Sequence, residues 1–417
     1  MTSNGVRDQP ETAFVWIWLS HATEPVVAGR VDQVGESLVF HYGRRYLERK
    51  DRISIYEPEL PLVAGEQVPR VGKIHGCIAD AGPDSWGQRV VLFRRLGHGD
   101  HDTTDLRQLT YLMAAGSDRI GALDFQKSAT EYVSRKADAV PLEELVNAAQ
   151  HVEDGVPLPP ALSEALLRGT SIGGARPKAL LDDGDRRLIA KFSSTGDTYP
   201  MVQGEFVAMR LAQLAGIRVA NVEMTEALGK KIMLVERFDR LPGGQRRVMV
   251  SALTVLGLGE AGGRYASYAD LAHIVRTRFT DPDPTLRDLF ARITFNILTS
   301  NTDDHARNQA AFWDGELLTL TPAYDICPYP RAGGEAEQVM AIGEDGWRYS
   351  QVAGCVDRAA IYHLTRADAQ EIVDHQIDVI KTHWDDVCDE AGLTQVERDT
   401  FRDRQFLNPF SLLDSHS

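Results

Sequence analysis

One stretch of this chain decides its fold: Asn301-Thr302-Asp303-Asp304-His305-Ala306-Arg307-Asn308. It follows the apolar residues of 286–298, whose spacing predicts a buried helix. Two short predicted strands come next, joined by an Asp-Gly turn. The simplest structural interpretation of the stretch is a polar loop that caps the end of a core helix.

A functional interpretation rests on spacing. Asp303 and Asn308 stand five residues apart, which is the interval between the aspartate and the asparagine of a protein-kinase catalytic loop. There the aspartate orients the attacking hydroxyl and accepts its proton, while the asparagine turns back to a metal ion on the phosphates. We predict these two roles for Asp303 and Asn308. His305 is predicted to shape the loop beside ATP, and Asp304 is expected to face solvent.

Asp325 is a second candidate metal ligand, in the stretch Thr321-Pro322-Ala323-Tyr324-Asp325-Ile326. It follows the predicted loop and hairpin, as the metal-binding aspartate does in kinases. Mg²⁺ prefers hard oxygen ligands and usually takes one or two carboxylates besides phosphate oxygens. Considered alone, Asp325 is best interpreted as a turn residue whose side chain hydrogen-bonds its own backbone. Together with Asp303 and Asn308, it indicates a magnesium site.

A Gly-rich loop at residues 169–178 precedes two predicted strands. Paired glycines let backbone N–H groups approach phosphate oxygens closely. Most Gly-Gly pairs are simple turns, and this loop is not a Walker loop, but its position just before Lys191 favours phosphate binding. The residues predicted to contact ATP here are Ser171, Gly173, Gly174 and Ala175.

Lys191 lies in an apolar predicted strand at residues 187–192. A lysine there is costly unless its ammonium group is paired. In kinases such a lysine holds the α- and β-phosphates of ATP and pairs with a helix glutamate. Glu205, on the predicted helix 202–215, is the natural partner. The alternative is a solvent-facing lysine on an edge strand.

The stretch Leu234-Val235-Glu236-Arg237-Phe238-Asp239-Arg240 joins the β-rich part of the chain to the helical part. An adenine site needs an extended segment that offers one backbone C=O and one backbone N–H. Glu236 and Phe238 are predicted to supply these groups, and Asp239 to reach the ribose. The alternative is a strand end with an exposed charge cluster.

The order of these features is that of a bilobal protein kinase. We predict an α+β fold with an N-terminal β-rich subdomain (10–130), a nucleotide-binding N-lobe core (140–238) and a helical C-terminal lobe (239–412). The predicted strands are 14–19, 26–31, 37–46, 179–181, 187–192, 219–225, 230–235, 309–313 and 317–320. The predicted helices are 84–96, 105–115, 141–150, 160–167, 202–215, 267–279 and 286–298, and the chain is expected to be helical from the second hairpin to about residue 392.

Composition limits the class of protein. The 417 residues include 45 Lys and Arg against 60 Asp and Glu, a formal net charge of −15. A chain this acidic is a poor candidate for wrapping nucleic acid by itself, because phosphate neutralisation needs clustered positive charge. The four scattered cysteines form no CxxC pair, and no segment has the length of a membrane span. We expect a cytoplasmic protein with no membrane partner.

The chain resembles the HipA family of toxin kinases from about residue 14 to about residue 390. The most specific segments are Ser171-Ile172-Gly173-Gly174-Ala175-Arg176-Pro177-Lys178, Glu236-Arg237-Phe238-Asp239-Arg240, Asn301 to Asn308 as quoted above, and Pro322-Ala323-Tyr324-Asp325. Gly82-Pro83-Asp84-Ser85-Trp86-Gly87 also resembles a motif of that family's N-terminal subdomain.

The resemblance implies an ATP- and Mg²⁺-dependent serine/threonine kinase. Asp303 would be the catalytic base, Asn308 and Asp325 the Mg²⁺ ligands, and Lys191 a contact of the ATP phosphates. Ser171 would be the autophosphorylation site, where about two added negative charges repel ATP.

The resemblance also implies partners. The family phosphorylates aminoacyl-tRNA synthetases, glutamyl-tRNA synthetase above all, and is neutralised by a helix-turn-helix antitoxin of the HipB type. Operator DNA would be reached only through that antitoxin.

One departure from the family concerns the nucleotide pocket. Relatives often carry Cys-Gln before Ala-Leu-Gly, whereas this chain has Leu253-Thr254 before Val255-Leu256-Gly257.

Two other functions remain open at this point. One is a small-molecule or lipid kinase on the same core, and the other is a non-catalytic protein that docks an antitoxin and tunes repression.

Overall fold

The computed structural model describes residues 9–96, 106–135, 140–154, 156, 162, 166, 176–184, 186–194, 196–331 and 334–414. The strands are β1 (Thr12–Ile17), β2 (Val26–Val34), β3 (Ser37–Tyr42), β4 (Leu123–Gln126), β5 (Lys178–Asp183), β6 (Arg186–Phe192), β7 (Val222–Ala227), β8 (Lys230–Glu236), β9 (Met249–Ser251), β10 (Ala310–Trp313) and β11 (Leu318–Leu320).

Helices alternate with these strands and dominate the later part of the chain. They are α1 (Arg44–Leu47), α2 (Gly76–Ala79), α3 (Ser85–Leu96), α4 (Gln108–Ala114), α5 (Leu142–Glu153), α6 (Met201–Leu214), α7 (Ala252–Val255), α8 (Tyr268–Arg278), α9 (Pro282–Leu298), α10 (Val352–Asp357), α11 (Arg366–Glu390) and α12 (Gln395–Phe401). Within the described part of the chain, none of them has both the length and the apolar character that a membrane span requires.

The chain divides into two compact units. Unit 1 comprises Met1–Gly196, Thr225–Val250 and Phe312–Glu316, and unit 2 comprises Asp197–Met224, Ser251–Ala311 and Leu317–Ser417. The strands form three sheets, with the orders β3-β2-β1-β4, β5-β6-β8-β7 and β11-β10-β9. The three-part division at 10–130, 140–238 and 239–412 stays a prediction.

The first sheet of unit 1 is antiparallel. Strand β1 is central, with β2 on one side and β4 on the other, and the register of the β1–β2 pair shifts between Val15 and Trp16. Ala13, Val15 and Ile17 are fully buried, as expected for one face of a strand that packs on a core. The first predicted strands are confirmed, except that the end of 37–46 forms α1.

The second sheet of unit 1 packs one face on helices α3 and α5. In β6, Ala190 and Phe192 point into a core that includes Trp86 of α3 and Val146 of α5. Because successive side chains of a strand alternate in direction, Lys191 lies on the opposite face. The hydrophobic core thus fixes which way the predicted ATP-binding lysine points.

A buried ionic cluster in unit 1 ties the end of β8 to the segment before β4. Arg237 donates to both carboxylate oxygens of Asp239 (3.0 and 2.8 Å) and to Asp118 (2.9 Å). Arg240 also contacts both aspartates, and Gly121 N donates to Asp239 at 2.8 Å. Although burial opposes ionisation, Arg237 and Arg240 hold the pKa of Asp118 below its usual value.

Unit 2 is built around α9. Its inward side chains, including Leu286, Phe290, Ile293 and Ile297, are fully or almost fully buried. The long helix α11 begins at a capping box of Thr365 and Asp368.

The helix predictions at 202–215, 267–279 and 286–298 are confirmed with small shifts at the ends, while 160–167 lies almost entirely outside the described residues. The prediction of helix from the second hairpin onward is wrong for residues 321–351. Their described part forms no regular helix and is held instead by single backbone bonds, such as Val339 N to Thr302 O (3.1 Å).

Replacing Arg237 by Met tests the ionic cluster. The variant removes one of the two arginines that hold the buried Asp239 and the partly buried Asp118, so it should lower the free energy of unfolding by about 3–5 kcal/mol. Arg210→Met is the matched control, because its pair with Glu390 (2.8 Å) is largely exposed and should contribute about 1 kcal/mol or less. Urea unfolding measures both, and equal effects of the two variants would contradict the structural role of the cluster.

Candidate active site

The catalytic loop predicted from sequence begins at a sharp turn after α9. Ser300 has a φ of 52°, in the left-handed region where glycine is usual. Asn301 N donates to Asn296 O (2.8 Å) and Ser300 N to Ile297 O (3.2 Å), the bonding pattern of a Schellman helix end. Ser300 Oγ donates to Gln405 O at 2.6 Å. This bond helps to hold a conformation that a serine rarely adopts.

A buried network of amides and one carboxylate fixes the loop against α9. Asn296 Nδ2 donates to Asp304 Oδ2 (2.7 Å), and Gln309 Nε2 donates to both oxygens of Asp304 (3.2 and 3.3 Å). Asn301 Nδ2 donates to Asn296 Oδ1 at 3.1 Å. Asp304 is only 3% exposed, so the expectation that it faces solvent is wrong. Its side chain is an internal acceptor for the loop and the helix.

Burial raises the pKa of Asp304 to about 7. The hydrogen bond from Gln309 acts in the opposite direction, and the nearby charge of Asp325 adds to the rise. The pKa of the carboxyl therefore lies near neutral pH. This holds although the hydrogen bonds donated by Asn296 and Gln309 favour the ionised form.

Asp303 and Asn308 lie in the same loop of unit 2. Asn308 N donates to His305 O at 2.8 Å, and Asn308 Nδ2 makes a long contact of 3.5 Å with Asp303 O. Asp303 Oδ2 accepts a hydrogen bond from the hydroxyl of Tyr329 at 3.2 Å. Because the Asn308 amide nitrogen faces its own loop, its Oδ1 is the atom left to face a ligand.

Asp325 is brought beside this loop within unit 2. Its φ is 60°, a left-handed conformation that Asp tolerates better than most residues. Asn301 Nδ2 reaches Asp325 O at 3.5 Å, and the hydroxyl of the preceding Tyr324 donates to Arg307 O at 2.7 Å. An amide oxygen and a carboxylate are hard ligands, so Asn308 and Asp325 fit the chemistry of Mg²⁺.

The remaining predicted residues lie partly in unit 1. Lys191 is half-buried in β6, and the Cα partner opposite it is Lys178. Lys178 is almost fully buried, and its Nζ lies 3.5 Å from Asp84 Oδ2 at the start of α3. Glu205 is buried on α6, which belongs to unit 2. The Lys191–Glu205 ion pair stays a prediction.

The residues predicted to bind adenine and ribose lie at the end of strand β8 and just after it. Glu236 is paired with Leu188 of β6, and Arg237 N donates to Arg187 O at 2.8 Å. The ring of Phe238 packs edge-on against Phe312. Asp239 is buried in the ionic cluster described above, where both of its carboxylate oxygens accept hydrogen bonds. Its contact with a ribose stays a prediction. The predicted Gly-loop contacts Ser171, Gly173, Gly174 and Ala175 lie outside the described residues.

Two family models match this chain. The model of the HipA-like C-terminal domain matches residues 170–384, which is more than half of the chain, and the model of the HipA N-terminal domain matches residues 20–126. The chain belongs to the HipA family. The resemblance found in the sequence motifs is therefore confirmed at the level of the family.

Individual HipA-type proteins match less completely. The serine/threonine-protein kinase toxin HipA of Shewanella oneidensis is 26% identical over 242 residues, which are 52% of this chain and 55% of that protein. The protein Y4mE of Sinorhizobium fredii, which is named as a kinase, is 25% identical over 307 residues. The match covers 64% of this chain and 70% of that protein. The match thus spans only a little more than half the length of the first relative.

A solved structure matches nearly the whole chain. In the complex of HipA, HipB and operator DNA from Shewanella oneidensis, the matched chain has a TM-score of 0.69 and 20% identity, and the match covers 97% of this chain and 100% of that chain. At this identity the likeness establishes the fold alone. The predicted α+β, kinase-like fold is confirmed.

Three features of this HipA-family site are not evident from the sequence motifs. They are the burial of Asp304, the contact of Tyr329 with Asp303, and the buried Lys178 beside Lys191. Lys178 alone left a local signal, since it is a second lysine, placed at the end of the Gly-rich loop directly before an apolar predicted strand. The contact of Tyr329 with Asp303 joins residues that are distant in the sequence. The burial of Asp304 depends on packing that hydrophobic periodicity does not predict.

Asp304 predicts a specific pH dependence of stability. Its folded pKa is raised from 3.8 to about 7, so its stabilising contribution is complete below pH 4 and is lost as pH rises toward 7. Asp304→Asn removes this titration. The free energy of unfolding of the variant, relative to wild type, should rise by about 1.4 kcal/mol per pH unit over that interval.

Urea unfolding between pH 5 and pH 8 measures this difference. Asp386→Asn, at an exposed position of α11, is the control and should give a flat difference. A difference for Asp304→Asn that does not change with pH would show that this carboxyl titrates normally.

Proposed function

We propose that this chain is a serine/threonine protein kinase that transfers the γ-phosphate of ATP to a protein hydroxyl. The observation that carries the proposal is the placement of Asp303, Asn308 and Asp325 on two adjoining loops of one unit. These are the residue types, in the order, that a kinase uses for its base and its metal ligands. A protein that only docked a partner would have no need of this set.

In this proposal Asp303 orients the attacking serine or threonine hydroxyl and accepts its proton. The new bond joins the hydroxyl oxygen to the γ-phosphorus, the bond to the β-phosphate oxygen breaks in line, and ADP leaves with the electron pair. Asn308 and Asp325 would hold Mg²⁺, which neutralises charge on the phosphates when bound. Catalysis then rests on positioning and electrostatics rather than on covalent chemistry by the protein.

The nucleotide-binding roles extend to unit 1. Lys191 would contact the α- and β-phosphates and pair with Glu205. The backbone of Glu236 and Phe238 would receive the adenine, and His305 would lie beside the nucleotide. The Gly-rich loop with Ser171, Gly173, Gly174 and Ala175 would cover the phosphates. Phosphorylation of Ser171 would place negative charge in that loop and switch the kinase off.

We further propose a toxin role in a cytoplasmic toxin–antitoxin pair. Two findings support it: the family of the chain, and the HipB and operator DNA in the solved complex whose HipA chain this fold matches. The antitoxin would be HipB-like and would carry the contact with DNA, because this chain has a net charge of −15. The proposed substrate is an aminoacyl-tRNA synthetase such as glutamyl-tRNA synthetase.

Asp303→Gln tests the phosphotransfer directly. The variant keeps a polar side chain, one methylene longer, but removes the base, so transfer of label from [γ-³²P]ATP to protein should fall by about 10²-fold or more. Binding of a fluorescent ATP analogue should persist, because Asp303 holds neither the metal nor the nucleotide in this proposal.

The control is Asp374→Gln, the same chemical change at an exposed position of α11, which should keep full activity. Retained transfer in Asp303→Gln would refute the assigned base. Label that appears in soluble metabolites instead of protein bands would favour a small-molecule kinase.

A further inference from the structure

The hydroxyl of Tyr329 contacts the proposed catalytic base. It donates to Asp303 Oδ2 at 3.2 Å. Among the described residues, Oδ1 of Asp303 has no hydrogen-bond partner. The carboxylate is therefore held by one oxygen only, and the other remains able to accept a bond from a substrate hydroxyl.

The peptide bond between Pro328 and Tyr329 is anchored within unit 2 through both its carbonyl and its N–H. Tyr329 N donates to Ser300 O at 3.0 Å, so the residue is tied to the turn that begins the catalytic loop. The preceding Pro328 is buried, and its carbonyl accepts from the hydroxyl of Tyr199 at 3.1 Å. Proline on both sides, at 328 and 330, restricts the backbone further because its ring fixes φ. The backbone that carries Tyr329 is thus tied to the start of the catalytic loop.

The surroundings keep the Tyr329 hydroxyl protonated. Burial raises the pKa of Tyr329, and Cys327, Asp303 and Asp325 raise it further. Of these three groups, Asp303 is the one that the hydroxyl contacts directly. A phenol that stays neutral keeps its O–H proton, so it can donate a hydrogen bond to Asp303 throughout the physiological range of pH.

We propose that Tyr329 is a positioning residue, which orients the Asp303 carboxylate through Oδ2 so that Oδ1 faces the incoming serine or threonine hydroxyl. The inference rests on the proposed kinase function. A tyrosine hydroxyl could instead occupy the place of the substrate hydroxyl and block the base. The single-oxygen contact and the anchored backbone favour positioning, because a blocking residue has to leave the site in each turnover.

Tyr329→Phe removes the hydroxyl and keeps the ring. We expect kcat for phosphorylation of a protein acceptor to fall about tenfold or more, since misorientation of a reacting group is costly. The KM for ATP and the melting temperature should stay close to wild type. Tyr362→Phe is the matched control, because it removes a buried hydroxyl that donates to Ile342 O elsewhere in unit 2; its kcat should not change.

Tyr199→Phe is the second variant, and it keeps the test open if Tyr329→Phe does not fold. It removes the hydroxyl that donates to Pro328 O and leaves the Tyr329 hydroxyl in place, so kcat should fall by a smaller factor, about two- to threefold. A rise in kcat for Tyr329→Phe would show that the hydroxyl blocks the base, and an unchanged kcat would show that it does nothing; either result overturns the inference. A wild-type chain that transfers no phosphate would overturn the kinase proposal itself, which distinguishes the two failures.

Discussion

The left-handed turn at Ser300 is the constraint on which the active-site geometry depends. It ends α9 with the bonds of a Schellman motif and reverses the chain so that Asn301 and Asp304 meet Asn296 on the helix they have just left. The helix is a well-packed support, because its inward side chains are buried in the core of unit 2. The loop with Asp303 and Asn308 is therefore fixed by internal hydrogen bonds before any ligand arrives, which is what preorganised catalysis requires.

This rigidity has an energetic cost that the surrounding contacts offset. Ser300 and Asp325 both adopt left-handed conformations that cost roughly 1–3 kcal/mol each for a residue other than glycine, and Asp304 is a buried acid. Strain and buried charge next to a proposed base are typical of functional sites. Unit 1 contains a buried ionic cluster of its own, formed by Arg237, Asp239 and Asp118.

The sequence predicts the elements well wherever a periodic pattern exists. Residues 286–298 have a clear helical stripe, and residues 187–192 alternate like a strand with one buried face, so both are recovered. The spacing of Asp303, Asn308 and Asp325 identifies the site, because the chemistry restricts the residue types. The irregular backbone of residues 321–351 and the burial of Asp304 were not predictable, since both depend on side chains that meet only in the folded unit. The burial of Asp239 was unpredictable for the same reason. A charged residue after a strand is expected to be exposed, and only the fold shows that Arg237 and Arg240 pair with it.

The most direct test of the account is whether Asn308 and Asp325 hold a divalent ion together with nucleotide. Electron paramagnetic resonance of Mn²⁺, with a non-hydrolysable ATP analogue, reports that bound ion directly. The account predicts a protein-bound Mn²⁺ signal in the wild-type chain that depends on nucleotide and is lost in Asp325→Asn. A bound signal of unchanged intensity in that variant would contradict the placement of the metal and, with it, the assignment of the site.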